Sequence, residues 1–287
     1  MTRIGLSTAS TYPESTAHGF AWAARLGYDA VEVMVGMDAL SQQAGAVKRL
    51  SDHHQIPISA IHAPCLLFTQ RVWGSEPWVK LERSAEMAAD VGADVVVVHP
   101  PFRWQRDYAS GFIEGIAALE KSTGVAFAVE NMFPWKASSR RGMDMYLPGW
   151  DPSEHDYANA CIDLSHAAIS GTDVLALAGR LGERLRHVHL ADGTSSAKDE
   201  HLVPGRGDAR AGEFLRQIAA DGFAGDVVLE INTRRCATAL ERERDLVESL
   251  EFAREHLRAG ALVATDAADP RAGGPVVDGP GVDELRR

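Results

Sequence analysis

Short apolar runs rich in β-branched residues alternate along the chain with longer stretches in which apolar residues return every three or four positions. The first pattern reads as buried strand and the second as amphipathic helix. The short runs fall at 3–7, 30–34, 57–62, 94–99, 125–131, within 160–167, at 186–190 and at 226–231. Between them the helical spacing predicts helices over about 13–26, 38–55, 77–91, 108–122, 172–181, 211–220 and 237–257. Punctuation agrees with these limits. Pro13 sits in the first turn of the first helix and Gly27 just after its end, and Pro100-Pro101 forbids continuation of the fourth strand.

Repeated strand-helix units of this kind build parallel sheets. Eight strands within residues 3–257 match a (β/α)8 TIM barrel. The alternative, an open doubly wound sheet, calls for a glycine-rich phosphate turn after the first strand, and residues 7–14 contain none. One barrel domain is therefore expected over 1–258. From 259 to 287 the sequence turns to Ala, Asp, Gly and Pro, which reads as a flexible tail. The longest connection, 132–152, has the length of a lid or binding loop.

In a barrel, the C-terminal ends of all strands meet on one face. Here six consecutive ends carry His62, His99, Glu130, Asp163, His189 and Glu230. A lone strand-end His or Glu is usually just solvated or bonded to a neighbouring backbone group. Six in register predict a shared cation, because several carboxylates are too costly to bury together without one. Two pairs add to the set: Asp163 with His166 on one strand-to-helix turn, and Asp199 with His201 in the loop after the seventh strand. His187 shares the inward side with His189 but lies deeper, which suits a structural role. Imidazoles and carboxylates without thiolates suit zinc or manganese, with cobalt, magnesium or iron as further choices.

Composition narrows the functional classes. With 29 basic and 40 acidic residues the formal charge is -11, which disfavours wholesale nucleic-acid or anionic-membrane binding. Cys65, Cys161 and Cys236 are odd in number and far apart, so they read as reduced thiols. No stretch has the apolar length of a membrane span or a leader, and the expected location is cytoplasmic. A homo-oligomer is left open.

The motifs I-H-A-P, V-V-H-P, V-E-N, C-I-D-x-x-H-A, H-x-H-L-x-D, D-x-H-x-x-P-G-x-G and V-L-E, in this order over about residues 3 to 257, resemble the xylose-isomerase-like TIM barrels. That superfamily includes AP endonuclease family 2, with endonuclease IV, and many sugar and sugar-phosphate isomerases and epimerases. In the epimerase branch, the resemblance implies one divalent metal held by Glu130, Asp163, His189 and Glu230. There the two glutamates act as acid and base, and His166 assists. In the endonuclease branch, it implies a multinuclear zinc site that adds His62, His99, His166, Asp199 and His201. The chain departs from that branch at Cys65, where a tyrosine is usual.

The reaction implied first is carbohydrate isomerisation or epimerisation, by proton transfer next to a carbonyl through a metal-stabilised enediolate. The alternative is phosphodiester hydrolysis, on abasic DNA or another phosphate ester, over up to three ions. A third reading is an inactive barrel that binds a metal or metabolite, against which the paired Glu130 and Glu230 argue. Loops on the active face offer Trp104, Trp135 and Trp150 for a sugar face, and Arg103, Arg106, Lys136, Arg140 and Arg141 for a phosphate. Arg206, between two glycines near Asp199 and His201, ranks first among the substrate contacts.

Overall fold

The structure, a computed structural model, describes residues 2–135, 144–196 and 198–268. Eight parallel strands close into a barrel in sequence order: β1 (Ile4–Ser7), β2 (Ala30–Met34), β3 (Ile58–His62), β4 (Val95–Val98), β5 (Ala126–Glu130), β6 (Ala160–Asp163), β7 (Leu185–Leu190) and β8 (Asp226–Leu229). The (β/α)8 expectation holds. Around the barrel lie α1 (Thr16–Leu26), α2 (Ala44–His54), α3 (Pro77–Val91), α4 (Arg106–Ser110), α5 (Phe112–Thr123), α6 (Leu164–Ser170), α7 (Val174–Leu181), α8 (Ala211–Ala220) and α9 (Ala239–Ala268).

Strand alternation sorts the side chains into two cores. Outward residues such as Leu6, Val96, Phe127 and Ile162 pack against the helices, with Phe20, Phe112 and Phe214 fully buried among them. Each such side chain contributes about 1.5–3 kcal/mol of burial. Inward positions are small, with Ala60, Val95, Val97, Ala128 and Cys161 forming a separate buried cluster. That choice fits the narrow interior of an eight-stranded barrel. The seam between β1 and β8 is tied by Ser10, whose hydroxyl donates to Leu229 O (3.0 Å) and accepts from Ile231 N (2.9 Å).

Helix boundaries show where local chemistry overrides spacing. The helix expected over 38–55 begins only at Ala44, because Asp38 accepts from Leu40 N (3.0 Å) and Thr16 N (2.7 Å) and holds a turn instead. The one expected over 108–122 divides into α4 and α5 at Gly111. A short helix, α6, follows β6 directly, where only a turn was expected. Among the described residues, the β5–β6 connection holds a 3-10 turn, Pro152–Glu154, and no α-helix. The last helix, α9, runs on through residues 259–268, which were expected to belong to the tail, and the rest of that tail, 269–287, lies outside the described residues. Among the described residues, no helix is long and apolar enough to cross a membrane.

Candidate metal centre

Strand register delivers the predicted side chains to one end of the barrel. Asp163 and His189 are direct cross-strand partners on β6 and β7, and Glu130 ends β5 beside Cys161. His62 ends β3 level with Val97, which puts His99 one inward step higher on the neighbouring strand. His62, His99, Glu130, Asp163, His166 and His189 are all buried, and Glu230 and His201 complete the rim.

The contacts knit these residues into three overlapping groups: His62, His99 and Glu130; Glu130, Asp163 and His189; and Asp163, His166 and His201. Glu130 Oε2 faces His99 Nε2 at 3.1 Å, His62 Nε2 at 3.4 Å and His189 Nδ1 at 3.6 Å. His189 Nδ1 lies 2.8 Å from Glu230 Oε2 and 3.9 Å from Asp163 Oδ2. Asp199 spans the third group, 3.3 Å from His166 Nε2 and 3.1 Å from His201 Nε2.

Second partners fix which atom of each ligand faces inward. His62 Nδ1 meets Ala63 O (3.1 Å), and His201 Nδ1 meets Glu230 O (2.7 Å). A carbonyl only accepts, so Nδ1 carries a proton on both rings and Nε2 is the nitrogen left to face the centre. His166 Nδ1 meets Asn131 O (2.9 Å) and Glu130 Oε1 (3.0 Å), again leaving Nε2 toward Asp199. Asp163 divides its two oxygens between two tasks. Oδ1 accepts from His166 N (2.7 Å) as the N-cap of α6, while Oδ2 points into the centre without a hydrogen bond.

Three buried atoms, Glu130 Oε2, Asp163 Oδ2 and His189 Nδ1, have no hydrogen-bond partner although all lie within 4.8 Å of one another. Native proteins rarely leave such groups unpaired, since each costs about 1–3 kcal/mol, more when charged. Converging unpaired donor atoms with locked tautomers are what a divalent cation requires, so the residues fit one.

Without a cation, protons on imidazoles supply the counter-charge. Burial alone would raise Glu130, but the His99 and His189 imidazoles hold its carboxyl well below the usual range. Burial raises Asp163, and the neighbouring His166 and His201 offset only part of that. Burial would lower His166, yet Asp163 and Asp199 raise it well above the ordinary value, and His189 rises likewise against its burial. His99 goes down, because its burial outweighs the pull of Glu130.

Sequence reasoning missed Glu32. It is fully buried in the middle of β2, and its Oε2 meets both His187 Nε2 (2.8 Å) and His189 Nε2 (3.1 Å). It thereby holds His189 with Nδ1 turned to the centre, and it gives the structural His187 its partner. The signal was a glutamate at the inward position of an otherwise apolar A-V-E-V-M strand. Three other anchors also escaped notice. Asn131 and Asp163 pair twice: Asp163 N–H donates to Asn131 Oδ1 (2.7 Å), and Asn131 Nδ2–H donates to Asp163 O (3.1 Å). Ser165 Oγ donates to Asp199 Oδ1 (2.9 Å) and accepts from His201 N (3.1 Å). Asp192 clamps the loop before Asp199 and after His201 by accepting from Gly193, Gly205 and Ala209 N–H groups. His201 itself is held at φ 43°, strained backbone that the surrounding bonds impose.

The substrate contacts fare less well. Arg206 turns away from the centre and pairs with Glu248 (2.5 Å) and Asp245 (2.8 Å) of α9. The structure thus places this half-exposed arginine against α9, not at the centre where a substrate contact was expected of it. Arg103 donates to Asp144 O (3.1 Å) and lines an outer hollow with Arg106, away from the centre. Trp104 is exposed and stacks on Phe102 (4.6 Å between ring centroids) rather than over the ligand atoms. Trp150 packs against the cluster of Phe102, Met132 and Tyr146. Trp135 is well placed, in the wall of a cavity of about 430 Å³ that opens on His99, His166 and Asp199 and is otherwise lined by apolar side chains such as Phe68 and Phe133. Lys136, Arg140 and Arg141 lie outside the described residues.

The chain as a whole resembles several known proteins. A family model described as xylose isomerase-like TIM barrel matches residues 20–256. An uncharacterised protein of Mycobacterium tuberculosis is 47% identical over 273 residues, covering 89% of this chain and 98% of its own length. Fructoselysine 3-epimerase of Escherichia coli is 21% identical over 252 residues (80% of this chain, 90% of that protein). A probable endonuclease 4 of Mycobacterium leprae is 30% identical over 183 residues (61% and 68%). Among solved structures, a D-tagatose 3-epimerase-like protein superposes with a TM-score of 0.67 at 22% identity, covering 93% of this chain and all of that one.

Proposed function

As the chain belongs to the xylose isomerase-like TIM-barrel family, we propose that it is a divalent-metal-dependent isomerase or epimerase acting on a sugar or sugar phosphate. The observation that carries this reading is the convergence of Glu130, Asp163, His189 and Glu230, with both glutamates directed at the same His189 nitrogen from strands on either side of β6 and β7. These four residues would hold the ion. Bound there, it would supply positive charge to adjacent substrate oxygens as an enediolate develops, with zinc or manganese the best match to the donors.

The rest of the chemistry falls to the side chains. Glu130 is held ionised, so it can accept a proton from carbon at neutral pH. Glu230, likewise held low by His189, would first have to take up a proton of its own before delivering one to the opposite face of that carbon. His166, whose Nδ1–H lies 3.0 Å from Glu130 Oε1, steadies that carboxylate. The aromatic wall formed by Phe133, Trp135 and Tyr146 excludes water from a space of small-molecule size.

A second reading, hydrolysis of a phosphate ester, has its own observation. Glu130 belongs to two ligand groups at once, and a third group adjoins them through Asp163. A carboxylate shared in this way is what a centre of two or three ions uses. The test is metal content per chain by elemental analysis, paired with deuterium wash-in from solvent into ketoses and ketose phosphates. One ion and exchange at the carbon next to the carbonyl is the expected result. Three ions, no exchange and cleavage of abasic DNA or a simple phosphate diester would replace the first reading by the second.

A further inference from the structure

His99 also lines a second cavity, of about 220 Å³, on the side away from Glu130. It is closed by the segment after β3 and by the starts of α3 and α4, and Cys65, Pro77, Lys80, Gln105 and Tyr108 face it. Its chemistry is the inverse of the metal centre's. Lys80 is only 7% exposed, and its Nζ donates to Thr69 O (3.1 Å) and Gln70 O (2.7 Å). Those two carbonyls use two of its three donors and leave its charge uncompensated. Among the described residues, no carboxylate lies within ion-pair distance of Lys80, and none lines the cavity.

Burying an ammonium without a counter-ion costs several kcal/mol. Other groups repeat the same preference. Tyr108, 9% exposed, has a hydroxyl with no partner among the described residues, and it lines the cavity beside Lys80. Gln105 accepts from Phe102 N through its oxygen (2.9 Å), which leaves its amide N–H groups as donors. The cavity also adjoins the first turn of α3, a helix of 15 residues with Pro77 at its start and no side-chain cap. The positive end of that helix dipole therefore lies beside the cavity.

We propose that this cavity anchors the anionic end, a carboxylate or a phosphate, of a substrate whose other end reaches the metal centre past His99. The proposal rests on the isomerase reading only for the word substrate; the anion site stands or falls by itself. It assigns to Lys80 and Tyr108 the role that the sequence suggested for Arg206.

Calorimetric titration of the full chain, stripped of metal at pH 8, with inorganic phosphate and with D-gluconate tests it. One of the two anions should bind at one site per chain, and the tighter one identifies the phosphate or carboxylate source. Lys80→Met should weaken that binding at least tenfold and Tyr108→Phe severalfold, while His201→Ala, a change within the metal centre, should leave it unaltered. Should Lys80→Met fail to fold, Tyr108→Phe carries the test alone. Failure of both anions to bind, or binding that is undiminished in Lys80→Met or in Tyr108→Phe whatever His201→Ala does, overturns the proposal. Neither result touches the metal count or the deuterium exchange on which the proposed reaction depends.

Discussion

His99 stands between two buried polar hollows with opposite deficits. On one side, five carboxylates (Glu32, Glu130, Asp163, Asp199 and Glu230) crowd against imidazoles with, among the described residues, no lysine or arginine within ion-pair reach. On the other, Lys80 and the hydroxyl of Tyr108 have no carboxylate to meet among the described residues. Burial alone does not mark either as functional, because Asp151 and Arg242 are also buried, and their partners satisfy them within the protein. The informative property is the sign of what is missing. One hollow lacks a cation and the other an anion: a divalent ion would answer the first, and the acidic end of a substrate, as proposed above, the second.

Changes on the cation side should have the largest effects. Glu130→Gln is expected to lower exchange by ~10²–10⁴-fold and to reduce bound metal, as read by deuterium wash-in and elemental analysis. Full exchange in this variant would remove Glu130 from the mechanism. Metal removal comes next: chelation should lower the unfolding free energy by about 4 kcal/mol, the amount expected when an ion is present at a thousand times its dissociation constant. Calorimetry with and without chelator measures it, and an unchanged transition would count against a resident ion.

The metal-free protein should also acquire a distinctive pH response. Burial lowers His201, but Asp199 and Asp163 raise it to about 10. The stability it contributes is complete below its ordinary value of ~6.5 and is lost as pH rises through about 10. Metal loading displaces that proton, so unfolding midpoints measured between these limits should fall in the stripped protein and stay level in the loaded one. Parallel curves would refute the exchange of proton for ion.

Glu32→Ala should weaken metal binding by ~10–100-fold by releasing His189, with Glu32→Gln closer to wild type because an amide oxygen can still accept from both rings. Equal affinities in a competition titration would make Glu32 a packing residue only. The smallest effect belongs to the anion side: Tyr108→Phe should change stability by less than about 0.5 kcal/mol, since its hydroxyl bonds nothing among the described residues. A larger loss in denaturant unfolding would reveal a partner and weaken the case for an outside anion.

The barrel and most of the centre were legible in the sequence for one reason. Each strand is a local pattern, and parallel closure brings all strand ends to one face, so His62, Glu130 or His189 is placed by its own strand. Glu32 was not legible in that way, because it lies one inward step below the rim and its role depends on two histidines across the barrel. The placement of Arg206 was not legible, because its neighbours in sequence are near the centre, whereas its guanidinium meets α9, some forty residues later. The Lys80 cavity draws on segments around Cys65, Lys80 and Tyr108 whose approach no spacing rule encodes.

The seam held by Ser10 has a consequence for the order of events in the cell. Its hydroxyl bonds groups 219 and 221 residues further along the chain, so the ring stays open until β8 has left the ribosome. Glu230 follows β8 immediately, and it is the last of the acidic groups to arrive. Through most of synthesis, then, a partial crescent of histidines and carboxylates is open to water and to whatever ions are at hand. The mature composition of the centre is settled only in the closing moments of translation.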